Sequence, residues 1–409
     1  MMQTSTLVLI AGTTLFAGTA LADNAGLVAD AGARTSYAAG GTYAGSGFTI
    51  ADQSGNNSLT IGGAAQFRYN LSFRDEDVVG STSDLATGFN APLTRLRASG
   101  NIVTKELSYK IQLTMTDLGE FDASSAGNNG VAVIDDAYAQ WDFGNNWNVR
   151  WGQFNLPVIR EVVIGAEDHL GLDFSETAQF FGQGYSQGVQ VGYADERIRA
   201  FGAFSDGAGT ANTNFISGAE ADYALSLRVE GLVLGSGWER FNNYTSWRGS
   251  GDDAVLVGGA LHFQDGGETA GTSDTQIFLY TVDATWEGPG YNVTGVFYGR
   301  NVETTGGDQD DFAFMLQGGY FFTDEVEAFL RWDGFFLDDN VFVNDNVNLI
   351  FAGINWYLSQ ESNAAKFTAQ FGYAFDDTNE ILSGNGVNSM LGQATDGEVS
   401  LGAGFQLVF

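Results

Sequence analysis

The side chains that could do chemistry in this chain are charges set two residues apart. Arg95 and Arg97 flank Leu96, and Arg197 and Arg199 flank Ile198. In an extended chain residues i and i+2 share a face, so each pair of guanidinium groups points one way and the apolar neighbour the other. Rows of fixed charge facing water are what pores use to select ions. Enzyme chemistry is thin by comparison. The chain has 2 histidines, His169 and His262, and no cysteine. That leaves no thiol nucleophile, no thiolate metal site and no histidine pattern that would hold a metal. His262 has the parity of its strand's polar residues, the wrong face for a serine hydrolase working on lipid. The acidic run Asp308, Asp310 and Asp311 lacks the spacing of a calcium loop. The expectation is a channel wall, with no enzyme activity, no cofactor and no metal.

Strands must carry such residues. In "LTIGGAAQFRYNLSFR" the odd positions run Leu59, Ile61, Gly63, Ala65, Phe67, Tyr69, Leu71 and Phe73, while the even ones include Thr60, Gln66, Arg68, Asn70, Ser72 and Arg74. That is strict period two. About sixteen such segments follow, beginning near residues 58, 91, 107, 132, 147, 186, 197, 220, 254, 275, 291, 312, 325, 347, 365 and 398. Short connections ("VTKE", "GNN", "ADE", "EGPG", "TDE") alternate with longer ones at about 75–90, 119–130, 156–184, 205–219, 264–274, 301–311, 336–346 and 376–397. Short turns at one end and long loops at the other mark a transmembrane β-barrel. The expected fold is all-β: a transmembrane antiparallel barrel of about sixteen strands with a constriction loop folded into the pore. One connection, 231–253, is long where a short turn is due. It is either an excursion at the periplasmic end or a missed hairpin that would make eighteen strands; sixteen is preferred.

Composition agrees. Mean hydropathy is -0.07, and beyond the N-terminus no apolar run reaches the roughly 18 residues of a spanning helix. The stretch "TLVLIAGTTLFAGTALA" ends in Ala20-Leu21-Ala22, the pattern of a signal-peptidase site, although its leader holds no Lys or Arg. Residues 1–22 are therefore read as a signal peptide and 23–56, rich in Ala, Gly, Ser and Thr, as a periplasmic extension whose composition suits disorder. Residues 57–409 are the barrel. Fifty acids against 17 bases give a formal charge of -33, which excludes general nucleic-acid binding because a phosphate-neutralising surface must be basic. Aromatic residues near strand ends, Trp141, Phe143, Trp147, Trp151, Trp332, Phe335 and Phe336, suit an interfacial girdle against lipid.

Taking the more apolar parity of each strand as the lipid face, the lumen receives Arg68, Arg95, Arg97, Lys110, Arg150, Arg197, Arg199, Arg228, Arg300, Arg331 and Lys366, 11 of the 17 bases. The lumenal acids are chiefly Asp136, Asp142, Asp222, Glu230, Asp283, Glu327, Asp333 and Glu398. The alternative for each arginine is a brace paired to an acid of the wall. The 156–184 loop carries Arg160, Glu161, Glu167, Asp168, His169, Asp173 and Glu176; folded inward, its acids would face the arginine wall across the constriction.

Three stretches, "LTIGGAAQFRYN", "LTRLRASGNIVTKELSYKIQL" and "IDDAYAQWDFGNNWNVRWGQFNLPVIRE", together resemble the phosphate-selective porin O and P family. The third resembles that family's D-A-Y strand and its G-Q-F-x-x-P exit into the constriction loop, and "YTVDATWEG" and "GINWYLS" echo later strands. The resemblance covers about 57–409 and implies a homotrimer in the bacterial outer membrane, a third loop folded into each pore, and passive transport of small hydrophilic solutes or inorganic ions. The final strand, ending at Phe409, resembles the C-terminal signal read by barrel-assembly machinery. The family's phosphate selectivity rests on an arginine ladder with lysines, and here there are only Lys105, Lys110 and Lys366. A general or weakly selective channel is the first expectation. A phosphate- or anion-selective channel, or a plugged structural or adhesive barrel, stands as the alternative.

Overall fold

The computed structural model describes residues 47–74, 84–116, 131–215, 220–266, 275–360, 362–382 and 387–409. The signal peptide, most of the extension and the loop expected at 119–130 lie outside these residues.

Seventeen strands follow in chain order: β1 Phe48–Ala51, β2 Ser58–Phe73, β3 Leu85–Ile102, β4 Thr104–Thr116, β5 Val131–Gly144, β6 Trp147–Asn155, β7 Tyr185–Ala194, β8 Ile198–Ser205, β9 Tyr223–Leu234, β10 Ala254–Gly266, β11 Thr275–Gly288, β12 Tyr291–Thr304, β13 Gly307–Thr323, β14 Val326–Phe336, β15 Asn346–Ser359, β16 Ser362–Ala374 and β17 Val399–Val408. From β2 to β17 each strand pairs antiparallel with the next, and β17 returns to β2, Val399 opposite Phe73 and Val408 opposite Ala64. The result is a closed barrel of sixteen strands. Closure leaves no edge, so every spanning strand satisfies its backbone within the sheet.

β1 is the addition. Phe48–Ala51 pairs with Ile61–Ser58 of β2, beyond the point where the chain end stops: Phe409 exchanges backbone hydrogen bonds with Gly63 at 2.7 and 2.9 Å. The last residues of the extension are thus strand, because they cover a stretch of β2 that β17 is too short to pair.

The outward parity is apolar. Phe67, Leu96, Ile111, Trp141, Trp151, Leu227, Val282, Leu330 and Trp356 are all exposed, a continuous surface that only lipid would cover at this extent. Two expectations need correcting. Residues 301–311 are not a long loop, because β12 and β13 stay paired to Thr304 opposite Gly307. Phe335 is not part of the girdle: with Arg331 and Asp333 it shares the inward parity and is fully buried.

The 231–253 connection keeps the count at sixteen. After β9 the chain leaves the wall, makes one 3-10 turn at Glu239–Phe241, and rejoins it at Ala254. It lies at the end of the barrel that holds the short turns and Phe409.

Candidate functional site

Three segments fold into the barrel. The first is the 156–184 loop, which starts at Leu156 after β6. Its helical turns are Arg160–Val163 and Glu176–Phe181, the second capped by Ser175, whose hydroxyl accepts from the Ala178 N–H. The loop's apolar residues Val158, Ile159, Ala178 and Phe181 join a buried cluster with Leu279, Tyr298, Met315, Phe335, Leu349 and Phe351 of the wall. Inward positions of β11–β15 are therefore apolar where the loop docks and polar elsewhere. The second segment is the outer connection after β16. Its Asn388, at φ 48°, donates from its backbone N–H to Asp173 Oδ2 (3.0 Å) and from its side chain to Glu176 Oε1 (2.8 Å) and Phe174 O (3.0 Å). The third is the 235–253 excursion, which touches the loop from the opposite end.

The loop's acids meet the wall's bases. Glu167 pairs with Arg97 and, at 3.2 Å, with Arg95. Asp173 pairs with Arg68. Burial pushes the Glu167 carboxyl up, but Arg97 and Arg95 outweigh it and hold the group at about 2. Asp173 is likewise raised by burial but lowered on balance by Arg68. Glu161, Asp168 and Glu176 have no Lys or Arg within ion-pair distance among the described residues, and the cations farther off do not offset burial. Burial pushes Glu176 up to about 8 and Asp168 well above the usual carboxylate range, and Glu161, which accepts from the Ser175 N–H and hydroxyl, is raised for the same reason. His169 is buried between Phe174 and Tyr244, and desolvation lowers it to about 3, so it is neutral. Arg160 donates to Thr285 Oγ1 (3.0 Å) and to Phe241 O.

The remaining bases divide into two groups. Buried beneath the inserted segments are Arg228, bound to Glu230 and Asp283 at 2.9 and 2.8 Å, Arg331 on Asp333 at 2.9 Å, and Lys366, which donates to His169 O at 2.5 Å. Arg199 (on Glu230, 2.6 Å) and Arg300 (on Asp311, 2.5 Å) are also paired. These residues face inward as their parity requires and are paired: Arg228, Arg331 and Lys366 are buried, while Arg199 and Arg300 stay partly exposed. Arg197 departs further: it sits in the turn before β8 and donates to Gly235 O at 2.6 Å. A turn residue has no strand parity, and that is why alternation misplaced it. Asp142 and Asp222 are similarly at a strand's turn end and outside a strand.

One open space lies to one side of the loop. Between the loop and β3–β7 is a gap of about 120 Å³ lined by Arg95, Arg97, Lys110, Asp136, Tyr138, Arg150, Glu167 and Tyr185, among others. Lys110 is 2.8 Å from Asp136. Arg150 donates from Nε and Nη2 to Gln140 Oε1 (3.1 and 2.9 Å) and lies 4.2 Å over the Tyr138 ring; no carboxylate sits within ion-pair distance of it among the described residues. Asp135 belongs to the same site and strict alternation missed it. A register shift between Gln112 and Leu113 turns both Asp135 and Asp136 inward, where Asp135 accepts from Gln112 Nε2 at 2.8 Å and lies 3.6 Å from Arg95. The adjacent Asp-Asp pair was the signal, since one of two neighbouring charges would otherwise face lipid at a cost of a few kcal/mol. His262 is buried, with Ser226 Oγ 2.8 Å from Nδ1 and Gln264 Oε1 3.1 Å from Nε2.

A closed sixteen-strand barrel, lipid-facing outside, with a loop drawn across a charged lumen, is a membrane channel. The chain belongs to the family described as phosphate-selective porin O and P, whose model matches residues 64–381, and it forms a channel of the bacterial outer membrane. Solved structures share the fold at low identity. They include the DcaP outer-membrane channel of Acinetobacter baumannii (15% identity, TM-score 0.56, 89% of this chain and 100% of that one). The anion-selective porin of Comamonas acidovorans matches at 13% identity and TM-score 0.55 over 86% and 100%. OmpT of Vibrio cholerae in its trimer form matches at 14% and 0.56 over 86% and 99%. No curated protein matches the chain in sequence.

Proposed function

We propose that this channel passes small hydrophilic solutes and inorganic ions with weak anion preference, as a homotrimer, after removal of residues 1–22 and assembly guided by Phe409. One observation carries the reading: the gap beside β3–β7 is lined by Arg95, Arg97, Lys110 and Arg150, and among the described residues no carboxylate lies within ion-pair distance of Arg150. A gap of about 120 Å³ is room for several water molecules or a small hydrated ion, roughly 10–15 Å³ of such space sufficing for one water. Charged groups of the wall face Val162, Val163, Ile164 and Phe174 of the loop across it, so a hydrated ion is met by fixed charge on the wall side. The trimer is supported by the trimeric form of the OmpT likeness, and anion preference by the Comamonas porin. Neither an enzyme activity nor a bound cofactor is needed for passive transport.

Recording the refolded protein in a planar bilayer tests this. Steady open levels with a zero-current potential on the anion side are expected in a gradient of concentrated salt. Absence of any open level would mean a plugged barrel and overturn the proposal.

A further inference from the structure

The excursion between β9 and β10 is tied to three of the short turns. At its start Gly235 O accepts from Arg197, and Trp238 Nε1 donates to Asp195 O at 2.7 Å. Farther on, Trp247 O accepts from the Gly290 N–H at 2.8 Å. At its far reach Arg248 donates to Ser359 O and Gln360 O, both at 2.9 Å, and lies 3.9 Å over the Tyr357 ring. Between these anchors, Ser246 N–H donates to Glu327 Oε1 (2.7 Å) and Thr245 Oγ1 accepts from Asn363 (3.1 Å). The segment therefore runs from the β7–β8 turn to the β15–β16 turn across the periplasmic mouth, and leaves uncovered the side where the β3–β7 gap lies.

Its midpoint grips the constriction loop. The Tyr244 N–H donates to Asp168 O at 2.8 Å, the Tyr244 ring stacks on His169 at 5.2 Å and 11°, and Arg160 lies 4.9 Å over the same ring. Asn292 Nδ2, on the wall, donates to Tyr244 O at 2.6 Å, so Tyr244 is itself fixed. Two adjacent loop residues are thus held from opposite sides. Glu167 is drawn by its side chain onto Arg95 and Arg97 at the edge of the gap, while Asp168 is held by its carbonyl to the excursion. Gln406 Nε2 donates to Glu167 O at 2.8 Å and Lys366 to His169 O at 2.5 Å, so the hold from below acts with these wall contacts in setting how far Glu167 reaches toward the two arginines.

We infer that Tyr244 is a positioning residue of the pore: through Asp168 and His169 it fixes how far Glu167 reaches into the gap, and with it the charge and width that ions meet. The inference rests on the channel reading above. Among the described residues the Tyr244 hydroxyl has no hydrogen-bond partner, so the ring and the backbone do the positioning. This separates a positioning role from a hydrogen-bonding one.

The test is single-channel recording of the refolded wild type, Tyr244→Ala, Tyr244→Phe, and Tyr244→Ala combined with Glu167→Gln. Tyr244→Phe should match wild type. Tyr244→Ala should raise conductance on the order of twofold, since the constriction governs ion passage, and move the zero-current potential toward anions. In the Glu167→Gln background the same replacement should add little further shift in potential, the signature of two residues acting as one unit. A wild type that does not conduct overturns the channel reading itself. A conducting wild type with Tyr244→Ala unchanged, or a shift that persists in full without Glu167, overturns only this inference. Should Tyr244→Ala fail to fold, Arg248→Gln at the rim decides: it loosens the far anchor without touching the loop, and the same direction of change is expected, whereas wild-type conductance and potential would sink the idea.

Discussion

At Glu167 one carboxylate faces two guanidinium groups, and the three together carry a formal charge of +1, which Asp135 at 3.6 Å from Arg95 reduces further. The two arginines of the opening motif therefore present less charge to a passing ion than their number suggests. Removing the carboxylate should uncover them. Glu167→Gln is expected to move the zero-current potential toward anions, and Arg95→Gln with Arg97→Gln to move it toward cations, each with conductance retained. Potentials that do not separate in these opposite directions would mean that the selectivity lies elsewhere in the pore. Strand parity was enough to put Arg95, Arg97, Lys110 and Arg150 on the inner face, because lipid makes an outward charge expensive. Parity could not say which of them keep water. Arg68, Arg228, Arg331 and Lys366 are covered by segments from elsewhere in the chain, and coverage is a tertiary fact. Alternation passes over Asp135 and misplaces Arg197 for a local reason, a bulge and a turn, where period two fails.

The constriction loop is held as an element by apolar packing on one side and charge on the other. Its inward fold was foreseeable from its length and acids. Its docking wall was foreseeable too, in strands such as "DFAFMLQGGYFF" and "NLIFAGINWYLS" whose two faces are both apolar, but alternation reads such runs as merely weak strands. One part of the loop's hold depends on pH. Glu176, in the loop and not in a spanning strand, is pushed up to about 8 by burial, opposed by its hydrogen bond from Asn388 and by Arg331 and reinforced by Asp333 and Asp173. A carboxyl raised in the folded protein binds its proton more tightly there than in the unfolded chain. The stabilisation is complete below the ordinary carboxylate value near 4.5 and is lost as pH rises through about 8. The loop is thus expected to loosen above pH 8, seen as rising open-channel noise. Glu176→Gln, which stays neutral, should remove that rise. Noise that climbs identically in both proteins would place the titrating group outside the loop.

Across the whole molecule, net charge and pore charge oppose one another. The chain carries -33, yet the gap beside β3–β7 is lined by four bases, Arg95, Arg97, Lys110 and Arg150, against Glu167, Asp168 and Asp136. Asp168 is raised well above the usual carboxylate range by burial and by Glu167, so the loop contributes less negative charge than its acids would in water. The exterior of the barrel is apolar and acids such as Glu230, Asp283, Asp311 and Asp333 are paired inside the wall; other acids stand at either mouth, among them Asp195 on the periplasmic side, and Asp310, Asp338 and Asp377 at the opposite end. Distance decides which set an ion feels. Fields from exposed charge decay over about 3 Å at 1 M salt, about 8 Å at physiological ionic strength and about 30 Å at 0.01 M. At high salt an ion in the gap is governed by the wall beside it, and weak anion preference is expected. At low salt the acidic mouths enrich cations before entry, and the preference should drift toward cations. The measurement is the zero-current potential at a fixed concentration ratio, repeated from molar down to millimolar salt. A monotonic drift of this sign, reduced when Asp310 and Asp338 are replaced together by Asn, would show that mouth and constriction act in series. Strong cation selectivity persisting at 1 M would instead put the controlling charge on Glu167 and Asp136 within the gap, and the arginine-lined wall would no longer account for the pore.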